Sequence, residues 1–313
     1  MTTPAASYLK VSYDLRPAKQ VERRMMIDVL QRMAAGGFPI RDYQYTGMGS
    51  IYFVDFILFH RLLGLRRLLS AEHDTNISRR IRFNRPFACV EVAMEPIGDA
   101  VAKLDRDLRH LVWLDYDYRL NKDLAGDISL ASSTLPAESI LLVTVDAEAP
   151  SGESPSVAME YYRARVGEYF DLSWTPEAFA PSHLSHTLAK ILGNIILSGI
   201  AGRRSLRFSP LFGFEYADTN RMVTIGGLFA NDATDTRLGG CDFKDLHFIR
   251  RSLDEAPFEI KIPRLTRKER LYLDHHMPCS DDWEPTEFEL AKESVQEYAR
   301  VYRYYPTFAE LLA

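Results

Sequence analysis

The sequence predicts an α/β protein with a Rossmann-like, doubly wound sheet. We expect five parallel strands and then a C-terminal β-hairpin that contributes one antiparallel strand. Five short apolar segments alternate with helical segments between residues 43 and 146, which is the order of a parallel sheet covered by helices on both faces. Two further β-prone segments, 206–216 and 221–229, are joined by an Asx-type turn, which is typical of a hairpin.

The first strand leads into a turn that contains two glycines. Gly47-Met48-Gly49-Ser50 follows the strand, and an apolar helix begins near Tyr52. Because glycine has no Cβ, such a turn lets the backbone approach a ligand closely. Tyr52 stands where the dinucleotide fingerprint has its third glycine, and this favours a nucleoside cofactor other than NAD or FAD. The alternative, in which the glycines only make a tight turn between strand and helix, stays open.

Acidic residues follow the ends of three later strands. Glu72 comes after the second strand, Asp115 after the fourth and Asp146 after the fifth. Right-handed crossovers place the carboxyl ends of all the parallel strands at one edge of the sheet. We therefore expect these acids to lie beside the glycine turn, at the edge where ligands bind in this architecture.

Three regions are predicted along the chain. Residues 1–38 form an N-terminal helical segment, in which Pro17 suits the first turn. Residues 39–230 form the ligand-binding domain, and residues 231–313 form a mostly helical extension. In that extension Thr266 and Glu269 have the spacing of a capping box. A last helix over 286–303 ends in tyrosines, which we expect in the core or in a contact with another protein chain.

The composition argues against a protein that coats nucleic acid over its whole surface, because the net charge is −5. Two basic stretches are interpreted as solvated helix faces rather than phosphate-binding patches. Three distant cysteines give no disulfide framework, and the N-terminus lacks a signal peptide, so we expect a cytoplasmic protein without membrane contact. The basic stretches are Lys10, Arg16, Lys19, Arg23 and Arg24, and Arg79, Arg80, Arg82 and Arg85.

The order of elements, the Gly47-Met48-Gly49 turn, Glu72 and Asp115 resemble the class I S-adenosylmethionine-dependent methyltransferases over about residues 40–230. In that superfamily the last strand is inserted antiparallel to the others. The stretches 45–53 and 113–117 also look like those of bacterial proteins labelled putative O-methyltransferase, some of which are encoded near anti-phage defence genes.

The resemblance implies S-adenosylmethionine as the cofactor. Gly47 and Gly49 would approach its methionine part, Glu72 would bind its ribose hydroxyls, and Asp115 would lie beside its sulfonium and the acceptor. The remaining predicted cofactor contacts are Tyr45, Met48, Ser50, His73 and Tyr116, and the catalytic candidates are Asp115 and Asp146.

The sequence leaves the methyl acceptor open among a small molecule, a nucleic acid and a protein. The Asp/Asn-Pro-Pro-aromatic motif of methyltransferases that act on DNA amines is absent after the fourth strand. Asp115, Asp117, Asp146 and Glu148 resemble the metal-binding acids of catechol-type O-methyltransferases. Ala147 replaces the Asn that follows the ligating Asp in that family, so we predict no metal.

The leading hypothesis is therefore an S-adenosylmethionine-dependent methyltransferase that acts on an oxygen or nitrogen atom. A second hypothesis is a non-catalytic subunit of a bacterial defence or signalling complex that binds the same cofactor. A third, an NAD-dependent oxidoreductase, would need a further parallel strand in place of the hairpin. We also expect a homo-oligomer or a protein partner to use the aromatic C-terminal helix.

Overall fold

The structure, a computed structural model, describes residues 16–150 and 154–306, and its centre is one sheet of eight strands. The strands are β1 (Gln44–Gly47), β2 (Arg67–Ala71), β3 (Val90–Ala93), β4 (His110–Arg119), β5 (Ile140–Asp146), β6 (Arg207–Ala217), β7 (Arg221–Ala230) and β8 (Phe258–Ile260). Their order across the sheet is β3-β2-β1-β4-β5-β7-β6-β8.

The predicted fold class is confirmed by the strand directions. The strands β1 to β5 run parallel, and Thr46 lies opposite Leu69 on β2 and Val112 on β4. The hairpin strand β7 is inserted antiparallel between β5 and β6, with Thr224 opposite Thr144. The strand β8 then pairs parallel with β6, so the C-terminal region contributes a strand to the same sheet.

Helices cover both faces of the sheet, as expected for a parallel sheet whose strands are apolar on both sides. On one face α1, α2 and α3 pack against side chains such as Trp113 and Leu142. On the other face α4, α5, α6 and α7 pack against side chains such as Leu114 and Val143. The ranges of these helices are α1 (Pro17–Ala35), α2 (Val54–Leu63), α3 (Ser78–Asn84), α4 (Ile97–Ala102), α5 (Lys122–Thr134), α6 (Pro155–Val166) and α7 (Leu184–Ile200).

The helix α1 carries charged residues on its buried face. Lys19 and Glu22 have no exposed surface and Arg23 is 2% exposed, so the prediction of a solvated helix face is wrong for Lys19 and Arg23. At helical spacing these positions lie on the same face of α1 as the apolar residues Met26 and Leu30, and this face packs against the sheet. The two cations can be buried there because acidic side chains of the strands and helices lie beside them: Lys19 pairs with Asp115, and Arg23 pairs with Asp55. Lys10, from the same predicted stretch, lies outside the described residues.

The C-terminal region packs against α1 and the sheet. It contains α8 (Asp232–Gly239), α9 (Arg267–His276) and α10 (Lys292–Val301). The hydroxyl of Tyr304 donates a hydrogen bond of 2.7 Å to Asp28 on α1, and Arg24 donates to the carbonyl of Tyr305 at 2.9 Å. Tyr298 is 1% exposed, so two of the C-terminal tyrosines are held by contacts within the chain.

The capping box before α9 is confirmed. The amide of Glu269 donates to Thr266 Oγ1 at 3.2 Å, and the amide of Thr266 donates to Glu269 Oε2 at 2.6 Å. The last helix, by contrast, begins at Lys292 rather than near residue 286. In the segment before this helix, Phe288 packs edge-on against Tyr272 of α9 with ring centroids 5.5 Å apart, a tertiary contact that local sequence propensity does not express.

In the part of the chain that the structure describes, no helix combines the length and the apolar character that a membrane crossing requires.

Candidate functional site

The turn after β1 is held in place by the end of β2. The amide of Ser50 donates a hydrogen bond of 2.7 Å to Glu72 Oε1, and the hydroxyl of Ser70 donates to the same oxygen at 2.8 Å. Ser70 Oγ in turn accepts the amide of Gly49 at 3.1 Å. The glycine turn and Glu72, which the sequence predicted to meet at the carboxyl edge, therefore form one hydrogen-bonded unit.

Two residues of this turn adopt left-handed backbone angles although they are not glycine. Ser50 has φ = 52° and Phe53 has φ = 51°. Such conformations cost on the order of 1–3 kcal/mol each and persist only where neighbouring contacts enforce them, which is most common at ligand-binding sites. Here the bond from Ser50 to Glu72 and the bond of 2.7 Å from the amide of Phe53 to the carbonyl of Gly49 supply the enforcement.

The two glycines of the turn also have packing reasons to lack a side chain. A Cβ on Gly49 would lie 2.7 Å from the Phe53 ring and 2.8 Å from Ser70 Oγ, and a Cβ on Gly47 would collide with the hydroxyl of Tyr45. Close approach of the backbone to a ligand is therefore not needed to explain either glycine. The strained turn and the Glu72 carboxylate that holds it, rather than the glycines alone, therefore indicate a ligand-binding site at this edge.

Glu72 is positioned to accept further hydrogen bonds. Burial raises the pKa of its carboxyl group, while the hydrogen bonds from Ser70, Ser50 and Gly49 oppose that rise. The hydrogen bonds from the Ser50 amide and the Ser70 hydroxyl both end on Oε1 of Glu72. His73 next to it is exposed, and Met48 at the tip of the turn is half-buried against the second face of the sheet.

Asp115 at the end of β4 is paired with a lysine of α1. Lys19 Nζ donates a hydrogen bond of 2.8 Å to Asp115 Oδ1 and lies 2.9 Å from Glu22 Oε2. It also lies 4.2 Å from the ring centroid of Trp113, in a cation–π contact. The Asp115 side chain is 18% exposed whereas Lys19 is fully buried, so the carboxylate reaches the edge of the sheet and the ammonium stays beneath it.

The pKa of Asp115 is lower than its ordinary value. Burial acts to raise it, but Lys19, Arg16 and Arg23 together outweigh burial. Asp115 is therefore ionised at neutral pH. Because a low pKa means weak affinity for a proton, this carboxylate is suited to binding a cation rather than to removing a proton from an acceptor.

Asp146 at the end of β5 has the opposite shift. Burial raises the pKa of its carboxyl group, although the amide of Glu148, Arg119 and Asn220 partly oppose this. Asp146 Oδ1 accepts the amide of Glu148 at 2.7 Å, and Oδ2 accepts only a long bond of 3.3 Å from Asn220 Nδ2. Oδ2 of Asp146, whose carboxyl pKa is raised, therefore makes only a weak hydrogen bond.

Asp115 and Asp146 are on the same face of the sheet, the face covered by α1. Asp115 lies opposite Thr144, and Asp146 follows Thr144 by two residues, so the side chains of all three point to one side. The hydroxyl of Thr144 accepts a bond of 2.9 Å from the indole of Trp113 and lies 2.8 Å from the hydroxyl of Thr224. A polar row therefore runs beneath the N-terminal half of α1.

Two predicted cofactor contacts have buried side chains. Tyr45 is 1% exposed and packs edge-on between Phe56 and Phe59, each with its ring centroid 4.8 Å away. Tyr116 is 4% exposed and donates a hydrogen bond of 2.7 Å to Asp127 on the opposite face of the sheet. We leave both tyrosines out of the proposed site because their side chains are engaged in the core.

The four acids that resembled a metal site are dispersed. Glu148 Oε1 accepts the amide of Arg221 at 2.9 Å, and Asp117 points to solvent from β4. Among the described residues, no three His, Cys, Asp or Glu side chains come together in an arrangement suited to a metal ion.

Sequence reasoning missed the residues by which α1 and the hairpin close the site. Asp218 in the turn between β6 and β7 accepts the amides of Ala18 at 2.9 Å and Lys19 at 3.1 Å, and so caps α1. Arg23 pairs with Asp55 on α2. A signal existed for α1, since Lys19, Glu22 and Arg23 share a helical face with its apolar residues; none existed for Asp218.

The fold and this edge define the class of protein. The resemblance to class I methyltransferases was based on the order of elements, the glycine turn after β1, Glu72 and Asp115. The structure places the turn beside Glu72 and inserts β7 antiparallel between β5 and β6. Residues 11–313 match a protein family described as "Putative O-methyltransferase". The chain belongs to this family. The membership confirms the predicted resemblance to proteins labelled putative O-methyltransferase. No curated protein matches the sequence.

Several solved structures are distantly similar. Trm1 from Pyrococcus horikoshii, solved with S-adenosyl-L-methionine, has 10% identity and a TM-score of 0.47, and the match covers 70% of this chain and 57% of Trm1. A protein from Klebsiella pneumoniae described as a putative O-methyltransferase has 11% identity and a TM-score of 0.35, over 66% of this chain and 90% of that one. Fibrillarin from Methanococcus jannaschii has 8% identity and a TM-score of 0.37, over 61% and 68%.

This chain therefore spans a little over half of the length of Trm1. Likenesses this distant carry no information about substrates or partners, so both are argued below from the residues of this chain.

Proposed function

We propose that this chain transfers the methyl group of S-adenosylmethionine to an oxygen atom of an acceptor at the carboxyl edge of β1, β2, β4 and β5. The observation that carries the proposal is the strained turn at Ser50, fastened to Glu72 at the end of the neighbouring strand. Oxygen is favoured over nitrogen because the family is described by O-methylation.

The donor groups at this edge suit the cofactor. Glu72 holds the turn through Oε1, and we assign its Oε2 to the ribose hydroxyls, with Met48 and His73 beside it. Asp115 is ionised and reaches the edge, where its negative charge attracts a cationic ligand. S-adenosylmethionine, when bound, supplies an already electrophilic methyl group, so the protein has mainly to align the reactants and exclude water.

The two strand-end carboxylates divide the remaining work because their pKa values are shifted in opposite directions. Asp115 has a lowered pKa and holds a cation, whereas Asp146 has a raised pKa and receives a proton. We assign the proton of the acceptor hydroxyl to Asp146 Oδ2, the oxygen that makes only a long bond to Asn220. Removal of this proton makes the acceptor oxygen a stronger nucleophile.

Cofactor binding is tested by calorimetric titration with S-adenosylmethionine and S-adenosylhomocysteine. We expect the wild type to bind both ligands and Glu72→Ala to bind them at least about tenfold more weakly, since hydrogen bonds to a charged group contribute about 1.5–3 kcal/mol. Glu91→Ala, on the exposed side of β3, is the matched control and should bind normally. Absence of binding by the wild type would contradict the proposal.

Methyl transfer is tested with S-adenosylmethionine labelled in its methyl group and fractions of a cell extract. Asp146→Asn should bind the cofactor normally but transfer at least about a hundredfold more slowly, as for loss of a general base. Asp117→Asn, an exposed acid of β4, should transfer normally. Transfer by Asp146→Asn at the wild-type rate would remove Asp146 from the mechanism. Tight binding by the wild type without transfer to any fraction would favour the non-catalytic subunit, whose association with bacterial defence stays a prediction.

A further inference from the structure

The short helix α3 presents a basic and aromatic surface to solvent. Its one buried side chain is Ile81, which packs into the core below α2. The opposite side is formed by the α3 patch, which we define as Arg79, Arg80, Arg82, Phe83 and Arg85, all exposed.

Phe83 lies in the middle of this patch. On a helix, residues three or four positions apart lie side by side, so Arg79 and Arg80 flank Phe83. Arg82 directly precedes Phe83 and lies three positions after Arg79, so it is on the same outer side. The Phe83 side chain is 88% exposed, the largest value among the exposed large hydrophobic residues of the described chain. A fully solvated ring costs free energy, and the core gains nothing from it.

Three of the patch arginines, Arg79, Arg82 and Arg85, have no acidic residue close in sequence. No Asp or Glu occurs between residues 75 and 90, whereas the whole chain carries a net charge of −5. Among the described residues, no carboxylate forms an ion pair with Arg79, Arg82 or Arg85. The exposed Arg61 of α2 extends the positive surface, since its guanidinium lies 5.8 Å from the ring of Phe87 just beyond the patch.

We propose that the α3 patch binds a single-stranded nucleic acid. Arginine guanidinium groups pair with phosphates in a bidentate geometry, and an exposed aromatic ring between them offers a platform on which an unpaired base stacks. A helix face that only contacts solvent does not require an exposed aromatic residue such as Phe83. The sequence analysis interpreted this stretch as a solvated helix face, and the proposal departs from that interpretation because of the exposed ring of Phe83.

The patch lies at the outer end of the sheet. The helix α3 follows Glu72 after six residues and leads into β3, the first strand in the sheet order. Its role does not depend on methyl transfer, and its test needs neither the cofactor nor an acceptor.

The test is a fluorescence anisotropy titration of the full chain with a labelled single-stranded RNA of about 15 nucleotides, near the largest site size of a single-strand-binding domain. We expect binding that weakens as salt is added. The slope of log affinity against log salt should become shallower by about 0.7 for each phosphate contact removed by Arg79→Ala or Arg82→Ala.

Phe83 separates base stacking from charge attraction alone. Phe83→Ala should weaken binding about tenfold with an unchanged salt slope, and Phe83→Trp should retain it, because only the stacking surface differs. Two matched controls should bind as the wild type does. They are Leu172→Ala, at an apolar residue 80% exposed, and Arg163→Ala, at an exposed arginine of α6.

Three results would overturn the proposal. The first is absence of RNA binding by the wild type at low salt. The second is equal binding by the wild type and all the patch variants. The third is loss of a dimer in Phe83→Ala, measured by light scattering without any effect on RNA, which would make the patch a contact between copies of this chain. Retention on phosphatidylserine vesicles with no RNA binding would assign it to a membrane surface instead.

Discussion

Glu22 is completely buried in a cluster that holds more carboxyl groups than cations. Arg16, Lys19 and Arg23 supply three positive charges, and Glu22, Asp55, Asp115 and Asp218 supply four carboxyl groups. Burial raises the pKa of Glu22, and the nearby charge of Asp115 raises it further, whereas Lys19 opposes the rise. A neutral Glu22 balances the cluster, since uncompensated buried charge is costly.

This residue gives a prediction about stability and pH. An acid with a raised pKa in the folded state binds more protons than in the unfolded state, so its ionisation costs stability as pH rises above the ordinary value near 4.5. Glu22→Gln should therefore increase the free energy of unfolding at pH 8, because the neutral amide removes the cost of ionising a buried carboxyl group. The gain should vanish below pH 4.

Urea denaturation across this pH range measures the effect, with Glu91→Gln on exposed β3 as the control that should show no gain. Destabilisation by Glu22→Gln at pH 8 would mean that Glu22 is ionised and serves as a required partner of Lys19.

At the level of elements, the N-terminus of α1 is fixed by a side chain from the hairpin. Arg16, at the N-cap position, makes no capping hydrogen bond through its side chain, and Asp218 instead accepts the amides of Ala18 and Lys19. A carboxylate at this position also interacts favourably with the helix dipole. Because α1 covers Asp115, the cap supplied by Asp218 links the hairpin to the arrangement of residues in the candidate site.

Asp218→Ala should lower the free energy of unfolding by about 1 kcal/mol, the usual value of a lost N-cap. Hydrogen exchange measured by mass spectrometry should accelerate in the first turns of α1. Thr266→Ala removes the capping box of α9 and is the comparison, with faster exchange confined to α9. If Asp218→Ala leaves the exchange of α1 unchanged, the cap does not hold the helix.

At the scale of the whole molecule, residues 16–150 and 154–306 form two hydrophobic clusters, one on each side of a single sheet. The C-terminal region contributes Tyr304 and Ile260 to the same cluster as Met26 of α1. Together with the pairing of β8 to β6, these contacts join the predicted N-terminal segment, domain and extension through shared burial.

We therefore predict one cooperative unfolding transition for the full chain. Trp113 lies in the centre of the sheet and Trp283 lies against α9, so intrinsic fluorescence samples both regions. The fluorescence and far-ultraviolet circular dichroism curves in urea should coincide, as for a two-state system. A Trp283→Phe variant leaves Trp113 and Trp174, which both pack in the part of the chain before the C-terminal region, so its signal excludes that region. Separate midpoints for this signal and for circular dichroism would instead support an extension that unfolds independently.

Much of the fold was predictable because its signals are local. The strands β4 and β5 contain continuous apolar runs, and the capping box at Thr266 and Glu269 lies within four residues. The helix α8 was missed although Asn231 caps it by accepting the amide of Thr234 at 2.9 Å, a local signal that was available. The start of α10 was placed too early, and the segment before it makes a contact that no local pattern expresses, between Phe288 and Tyr272, sixteen residues apart.

The sequence by itself determined the order of strands and helices, the glycine turn and the acids that end β2, β4 and β5, because periodicity and residue type express them within a few positions. Only the tertiary structure decided that Lys19 binds Asp115 and that Asp218 caps α1, since these pairs are 96 and about 200 residues apart. It likewise decided that Tyr45 and Tyr116 belong to the core. Burial and charge pairing between residues so far apart in sequence depend on how the helices pack against the sheet, and no local sequence pattern encodes them.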